Sequence, residues 1–353
     1  MTGFSCVRGL ENWSDDLRAF LNSKGRAGVF GTTGWLEVVA ETFGARPADS
    51  FVCLVVQDRA GFRLGLPAVH DPATGRYDAW ANFYTPLAEP ARGVSAPDAQ
   101  DWASLFKGLL RCPGEFSVVQ FGPWSESMAK DPALLEAARA SGLSALPYFR
   151  FVNHYLPSNG DWPAYWASRS GALKNTVHRK RKRFLAAGGH LETVTGGASL
   201  AAGIQAYADI YAASWKDPEP FPTFMPRMMH WAASQGRLRL GLAKMAGEPV
   251  AAQVWLVHEG QAAIYKLAYR QDAAAWSAGS LLTAHLMEEV MVQDGVAEVD
   301  YGMGDEPYKA DWMSNRRERW GVLIANPRTA LGMAEIARHR VGGWVKKLGA
   351  LAS

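Results

Sequence analysis

The chain has 353 residues, and its hydrophobic fraction of 48% is large enough for two domains of ordinary size, which excludes a disordered or fibrous protein. The 37 Lys and Arg residues against 34 Asp and Glu give a formal net charge of only +3. This net charge is too small for the surface as a whole to bind a polyanion, so only local clusters of charge can indicate such a partner.

The first half of the chain alternates helical and strand patterns, which predicts an α/β or α+β unit. Helices are predicted at residues 13–21, 34–43, 101–110 and 132–141, and strands at 51–58, 62–69, 116–121 and 146–155. The cluster of Pro, Asn, Gly and Asp at 156–163 then predicts a linker.

The second half begins with a predicted helix over 162–187, which ends at Gly188 and Gly189, where a left-handed cap is expected. A strand at 190–194, helices at 200–215 and 223–235, and a meander of strands at 238–245, 249–257 and 262–270 follow. A helix at 279–293, strands at 297–302 and 319–326, and an amphipathic helix at 329–348 complete the chain.

Cysteines and apolar runs set the expected compartment. Cys6, Cys53 and Cys112 are widely spaced and fit neither a disulfide framework nor a zinc site, so we expect no metal. The N-terminus lacks an apolar signal core, and the longest run without a charged residue, 273–287, is too short to cross a bilayer. The sequence therefore predicts a cytoplasmic protein, with peripheral association at the inner membrane left open.

Five segments of the second half carry a resemblance to a known family. They are LKNTVHRKRKRF at 173–184, the Ser-Trp pair within ASWK at 213–216, EPVAAQVWL at 248–256, AYR and SAGSLL within 268–282, and DYGMGDEPYKADW at 300–312. With the order of elements, they resemble the FemAB-like branch of the GNAT superfamily, specifically the CelD/BcsL-like acetyltransferases of bacterial envelope and exopolysaccharide synthesis. The resemblance implies a tandem GNAT fold of α/β type, in which mixed twisted sheets are flanked by helices.

The resemblance spans about 160–325 and implies an acyltransferase domain at 156–328. The order of elements alone predicts a degenerate GNAT-like domain at 1–155, and an amphipathic helix is predicted at 329–353. The resemblance also implies acyl-CoA, most simply acetyl-CoA, as the co-substrate. Small residues where a strand and loop lead into a helix can hold a diphosphate, because the first helical N–H groups are free and carry partial positive charge. The residues expected at the donor are Leu267, Ala268, Tyr269, Ser277, Ala278, Gly279 and Ser280. An ordinary helix start is the alternative.

Acidic and phenolic residues follow the strand at 297–302, where acyl transfer to an amine could find a base and an acid. Asp300 is the first candidate base, Glu306 the second, and Tyr308 the candidate acid; Tyr265 is a further catalytic candidate. The alternative is a solvated turn that only caps the strand. The residues expected at the acceptor are Gln253, Trp215, Lys266, Lys309 and Arg179.

Six Lys or Arg residues and His178 lie between Lys174 and Arg183 without one acid, so this predicted helix carries the positive excess of the chain. Its partner could be the phosphates of coenzyme A, a nucleotide- or lipid-linked sugar, tRNA, or an anionic membrane surface. The C-terminal helix could add to such a membrane face. A solvated face is the alternative, and DNA is not expected.

These observations predict transfer of an acyl group, most simply acetyl, from coenzyme A to an amine of an envelope or exopolysaccharide precursor. Since no cysteine lies in 173–325, direct transfer is expected. Three alternatives stay open: acylation of a long-chain lipid amine, transfer from aminoacyl-tRNA as in Fem-type enzymes, and a binding protein without catalysis.

Overall fold

The structure is a computed structural model that describes residues 2–23, 28–93, 96–112 and 116–351. The chain divides into two compact units. The N-terminal unit comprises Met1–Leu36, Phe43–Phe151 and Glu318–Ser353, and the C-terminal unit comprises Glu37–Thr42 and Val152–Arg317.

The N-terminal unit is a mixed sheet flanked by helices, in the strand order β1-β2-β3-β4-β6-β13. Its strands are β1 Gly3–Arg8, β2 Phe51–Asp58, β3 Gly61–Asp71, β4 Arg76–Ala79, β5 Ala91–Arg92, β6 Val118–Ser125 and β13 Asn315–Ala325. Its helices are α1 Asp15–Leu21, the first half of α2 Thr33–Ala40, α3 Ala99–Leu109, α4 Glu126–Ala129, α5 Pro132–Ala140 and α12 Ala330–Leu351. Strands β4 and β6 are parallel, and their neighbours pair antiparallel.

The strands of the C-terminal unit are also mixed in direction, and their order is β7-β12-β11-β10-β9-β8. Its strands are the end of β7 Ser144–Pro157, β8 Gly189–Val194, β9 Leu238–Met245, β10 Glu248–His258, β11 Gln261–Tyr269 and β12 Glu298–Met303. Its helices are α6 Trp162–Ser168, α7 Gly171–Ala186, α8 Leu200–Ala212, α9 Phe224–Ser234, α10 Ala278–Val292 and α11 Pro307–Trp312. Here β11 and β12 are the parallel pair.

The two units repeat one order of elements: a strand, two helices, a three-strand meander, a helix, and a strand parallel to the last strand of the meander. Each sheet also contains a strand from the other half of the chain: β13 beside β6, and the end of β7 beside β12. The predicted mixed sheets with flanking helices are therefore present in both units. The compact units nevertheless differ from the predicted segments 1–155, 156–328 and 329–353, because residues from 318 onward belong to the N-terminal unit.

The helix predicted over 162–187 is two helices, because Ser170 interrupts it. The Leu173 N–H donates to Ser170 Oγ at 3.1 Å, which caps the start of α7. Val177 and Phe184 are buried and Leu173 packs against the same core, as the apolar stripe predicts. Gly188 follows with φ +82°, the left-handed conformation expected there.

Helix α12 lies where the C-terminal helix is predicted, but its side chains from residue 342 onward, and residues 352–353, lie outside what the structure describes. Among the described residues, none of the helices combines the length and hydrophobicity that a membrane span requires.

Candidate functional site

Strands β11 and β12 separate along their length. Their parallel register covers Gln261 with Glu298, Ala262 with Val299 and Ala263 with Asp300, and no later pair joins them in this fully described part of the chain. At Gly302 the strands are still close, since a Cβ there would lie 3.6 Å from the Ile264 carbonyl oxygen. The opening therefore borders the last residues of β11, which include Leu267, Ala268 and Tyr269.

Helix α10 begins beside this part of β11. It starts at Ala278, one residue before the predicted position, after Ser277 with φ +55°. A Cβ at Gly279 would lie 3.8 Å from the Tyr269 ring and 3.9 Å from the Leu267 side chain. The structure thus brings together the two groups of residues that the sequence predicts at a donor site, one on the strand and one at the start of the helix.

The N-terminus of α10 lacks a side-chain cap, whereas the corresponding helix of the N-terminal unit has one. In α3, Asp98 accepts hydrogen bonds from Gln100 and Asp101, and the Asp101 carboxylate accepts one from the Asp98 N–H. The Ser277 side chain makes no such bond in α10. Since the first N–H groups of a helix have no partner within the helix, those of α10 are able to bind an anion.

Gln253 supports this helix start and does not face an acceptor, which corrects the expectation for it. The side chain is fully buried, and its Nε2 donates to the Gly279 carbonyl and to Thr283 Oγ1, each at 2.8 Å. Its Oε1 accepts a hydrogen bond from Trp255 Nε1, also at 2.8 Å. All of its hydrogen-bonding groups are therefore used inside the fold, because a buried amide needs partners there.

Replacing Gln253 with Leu is expected to lower the free energy of unfolding by about 2 kcal/mol, because the buried Trp255 N–H loses its acceptor. Urea unfolding followed by circular dichroism measures the change. The control is Gln271→Leu at an exposed position, with an expected change below about 0.5 kcal/mol. Equal stability of the two variants would contradict a supporting role for Gln253.

Cations of helix α7 border the segment that leads into α10. Lys180 Nζ donates to the Ala275 carbonyl at 2.7 Å, and the Arg183 guanidinium lies 5.0 Å from the centre of the Trp276 ring. Arg179, the predicted ligand from this helix, is exposed to solvent. The helix therefore places positive charge next to the uncapped helix start, although through other residues than Arg179.

Asp300 is bound on both of its carboxylate oxygens. Its Oδ1 accepts hydrogen bonds from Asn153 Nδ2 at 2.8 Å and from the Gly302 N–H at 2.7 Å. Its Oδ2 forms an ion pair with Arg317 at 2.7 Å. Arg317 also pairs with Glu298 at 2.7 Å and stacks on the Tyr155 ring. Asp300 therefore has a structural role in this network. Asn153 and Arg317 were not among the predicted site residues, because no local motif marks them.

We expect Arg317→Met to lower the free energy of unfolding by about 3 kcal/mol, because two partly buried carboxylates lose their shared cation. Arg316→Met is the matched control: Arg316 is exposed and pairs with the exposed Asp305, so a loss below about 1 kcal/mol is expected. Chemical denaturation of both variants gives the comparison. A loss at Arg317 no larger than that at Arg316 would contradict a structural role of this network.

The loop after β12 presents Glu306 and Tyr308. Gly304 has φ +110°, a backbone conformation that other residues rarely adopt, so this position favours glycine. Glu306 is half exposed and pairs with Lys309 at 2.8 Å. Burial raises the pKa of Glu306, but the hydrogen bond from Lys309, a backbone hydrogen bond and the positive charge of Lys309 together lower it below its usual value. Burial and the charge of Glu306 raise the pKa of Tyr308, which is 45% exposed.

Lys309 holds this loop and is not free to bind an acceptor as predicted. It is buried, and its Nζ donates to the Met303 carbonyl as well as pairing with Glu306. A second pair absent from the sequence prediction lies nearby: His154 Nε2 is 2.7 Å from Asp305 Oδ1. Hydrogen bonds from Arg316 and from His154 lower the pKa of Asp305 to about 2.

Tyr265, Lys266 and Trp215 lie along β11. The register with β10 shifts at Tyr265, so that Ile264 and Lys266 face consecutive residues of β10. Lys266 Nζ pairs with Glu219 at 2.8 Å. The Trp215 ring packs on the Tyr269 ring with centroids 4.4 Å apart and remains 49% exposed.

Comparison with known families agrees with this geometry. Residues 171–310 match the Acetyltransferase (GNAT) domain family, and no protein of curated function matches the chain. The segment contains all of the predicted site residues from 215 to 309. In the part of the chain that the structure describes, no group of three His, Cys, Asp or Glu is placed to hold a metal ion.

Three solved structures resemble the chain over most of its length. The structure of FemX has a TM-score of 0.61 at 10% identity and covers 88% of this chain and 96% of its own. The structure of L-PGS from Bacillus licheniformis has a TM-score of 0.55 at 14% identity, and the match covers 95% of this chain and 98% of that chain. The C-terminal domain of a putative lysylphosphatidylglycerol synthetase from Agrobacterium fabrum has a TM-score of 0.50 at 16% identity, and the match covers 80% of this chain and 87% of that chain.

At these identities the structural likeness shows the fold alone, and the match of residues 171–310 shows the kind of domain. The predicted GNAT/FemAB-like resemblance is confirmed at that level. The chain thus has a FemX-like fold in which residues 171–310 match the Acetyltransferase (GNAT) domain, and it is an acyltransferase.

Proposed function

We propose that the C-terminal unit transfers an acyl group, most simply acetyl, from coenzyme A to an amine. The observation that carries this proposal is the uncapped start of α10 beside the part of β11 that does not pair with β12. A thioester carrier with a diphosphate and an amide-containing arm needs both features: helix N–H groups for the diphosphate, and strand edges for the amides.

The residues present fit such a donor. The first turn of α10 contains only Ala278, Gly279 and Ser280, whose small side chains allow a phosphate to approach the backbone. Lys180 and Arg183 add positive charge beside it. At the start of α3, the corresponding helix of the N-terminal unit, Asp98 and Asp101 occupy the N–H groups instead. One donor site, in the C-terminal unit, is therefore proposed.

The reaction forms a C–N bond and breaks a C–S bond. The acceptor nitrogen attacks the thioester carbonyl, loses a proton as the tetrahedral intermediate forms, and the thiolate leaves and is protonated. Glu306, ionised and half exposed, is proposed to accept that proton, and Tyr308 to supply one to the thiolate. Asp300 is the weaker candidate, because its oxygens are already bound. All three cysteines precede residue 113, which favours direct transfer.

The acceptor is proposed to be an amine of an envelope or exopolysaccharide precursor, by the resemblance of 300–312 and the other four segments. Residues of α7 exposed to solvent, with the C-terminal helix, are proposed to allow peripheral contact with an anionic membrane. A second candidate, transfer from an aminoacyl-tRNA, is favoured by the FemX-like fold together with the row of exposed cations on α7.

Calorimetry and thermal unfolding of the full chain with coenzyme A, acetyl-CoA, palmitoyl-CoA and bulk tRNA test these proposals. A ligand at 100 times its Kd stabilises the folded state by about 2.7 kcal/mol, a measurable rise in Tm. Binding of acetyl-CoA supports the first proposal, and preference for palmitoyl-CoA supports a long acyl chain. Salt-sensitive tRNA binding without binding of any thioester would instead support the second candidate and overturn the first.

A further inference from the structure

A cluster of charged and aromatic residues lies where helix α8 ends and packs on β11. It consists of Tyr211, Trp215, Lys216, Glu219 and Lys266, hereafter the α8 cluster. The partly buried Glu219 carboxylate pairs with Lys266 at 2.8 Å and hydrogen-bonds with Tyr211. The Tyr211 hydroxyl also donates to the Asp217 carbonyl at 3.2 Å. Burial, with the charge of Glu219, raises the pKa of Tyr211 to about 12.

Lys216 is the unusual member of the α8 cluster. Its Nζ lies 5.7 Å from the centre of the Trp215 ring and 5.8 Å from that of Tyr211. No carboxylate of the described residues comes within ion-pairing distance of it, while Glu219 is already paired with Lys266. Burial, and then the charge of Lys266, lower the pKa of Lys216. A partly buried cation with aromatic neighbours and no counterion is suited to an anionic ligand.

Lys266 and Glu219 of the α8 cluster lie on the side of β11 away from the proposed donor site, whereas Trp215 packs on Tyr269. Side chains alternate along a strand, and Leu267 and Tyr269 face Gly279 at the start of α10. Lys266 therefore points to the other face, toward Glu219 in the segment after α8. The exposed face of Trp215, which packs on Tyr269 at the end of the strand, offers a flat surface near both sites.

We infer that the acceptor is an anionic amine: its phosphate or carboxylate binds Lys216, and its ring or apolar part lies on Trp215. That this anion is the acceptor rests on the proposed function, but the anion site itself does not. Lys266 and Glu219 hold the cluster in place, and Lys216 selects the charged ligand. An amino sugar that bears a phosphate or a carboxylate has this chemistry.

The test measures binding by calorimetry and by Trp fluorescence with three probes: glucosamine 6-phosphate, muramic acid and glucosamine. The native chain should bind one of the two anionic probes at least about tenfold more tightly than glucosamine. Lys216→Gln should bring that ratio close to one, and Lys216→Arg should keep most of it. Lys107→Gln, at an exposed lysine of the N-terminal unit, is the charge-matched control and should leave the ratio unchanged.

Three outcomes would overturn the inference. They are equal affinity for charged and uncharged probes, no binding of either anionic probe up to about 10 mM, and an unchanged affinity ratio in Lys216→Gln. Coenzyme A is titrated separately into each variant. If Lys216→Gln weakens coenzyme A and leaves the probes unaffected, Lys216 belongs to the donor site and the inference fails. If coenzyme A never binds but the probe ratio depends on Lys216, the proposed donor fails while the anion site stands.

Discussion

Glu306→Gln is expected to lower kcat by about 100-fold or more, which is the effect of removing a general base. The Lys309 pair keeps the native carboxylate ionised, and glutamine retains its size but cannot accept a proton. The measurement is release of coenzyme A thiol from acetyl-CoA in the presence of the acceptor, over a range of pH. The KM for acetyl-CoA should change little, because Glu306 lies after β12 and not at the start of α10.

The variants Asp300→Asn and Tyr308→Phe, compared with Glu306→Gln, distinguish a catalytic role from a structural one. Asp300→Asn should weaken the network with Arg317, and thus lower the free energy of unfolding more than it lowers kcat. Tyr308→Phe should lower kcat without a loss of stability, since that side chain is 45% exposed. A large loss of kcat in a stable Asp300→Asn variant, with full activity in Glu306→Gln, would assign the base to Asp300 instead.

The order of elements and the donor side of the site were predictable because they depend on local patterns. Alternating apolar residues indicate β9, β10 and β11, and small residues indicate the start of α10. The exchange of β7 and β13 between the two sheets was not predictable, since each strand has the same pattern in either sheet. Serine is a preferred residue at the N-cap of a helix, so Ser170 was a local signal for the break between α6 and α7.

Charged residues were harder to assign than the elements that carry them. Asp300 is recognisable as an acid after a strand, but whether it is free depends on Asn153 and Arg317, which are distant in the sequence. The same holds for Gln253, which lies in an apolar run and donates hydrogen bonds to the Gly279 carbonyl and to Thr283. Lys216 follows Trp215 in the motif, but only the structure shows that Glu219, in the same segment, pairs with Lys266 and that no other carboxylate of the described residues pairs with Lys216.

Ser280→Asp is expected to weaken binding of coenzyme A by about 100-fold while leaving the fold as stable as before or slightly more stable. Ser280 is the third residue of α10, a position where a negative charge interacts favourably with the helix dipole by about 0.5 kcal/mol. The same charge repels a diphosphate placed on the first N–H groups, by about 3 kcal/mol for charges some 5 Å apart at an effective dielectric constant near 20. Thermal unfolding and calorimetry report the two effects separately.

Ala202→Asp is the matched control, because Ala202 is the third residue of α8 and is exposed. This variant should gain the same small helix stabilisation and bind coenzyme A as the native chain does. A destabilised variant loses affinity through unfolding, but Ser280→Asp is expected to be stable, so its loss of affinity has to come from the site. If Ser280→Asp and Ala202→Asp bind coenzyme A equally well, the diphosphate does not lie at the start of α10, and the donor site has to be sought elsewhere on the C-terminal unit.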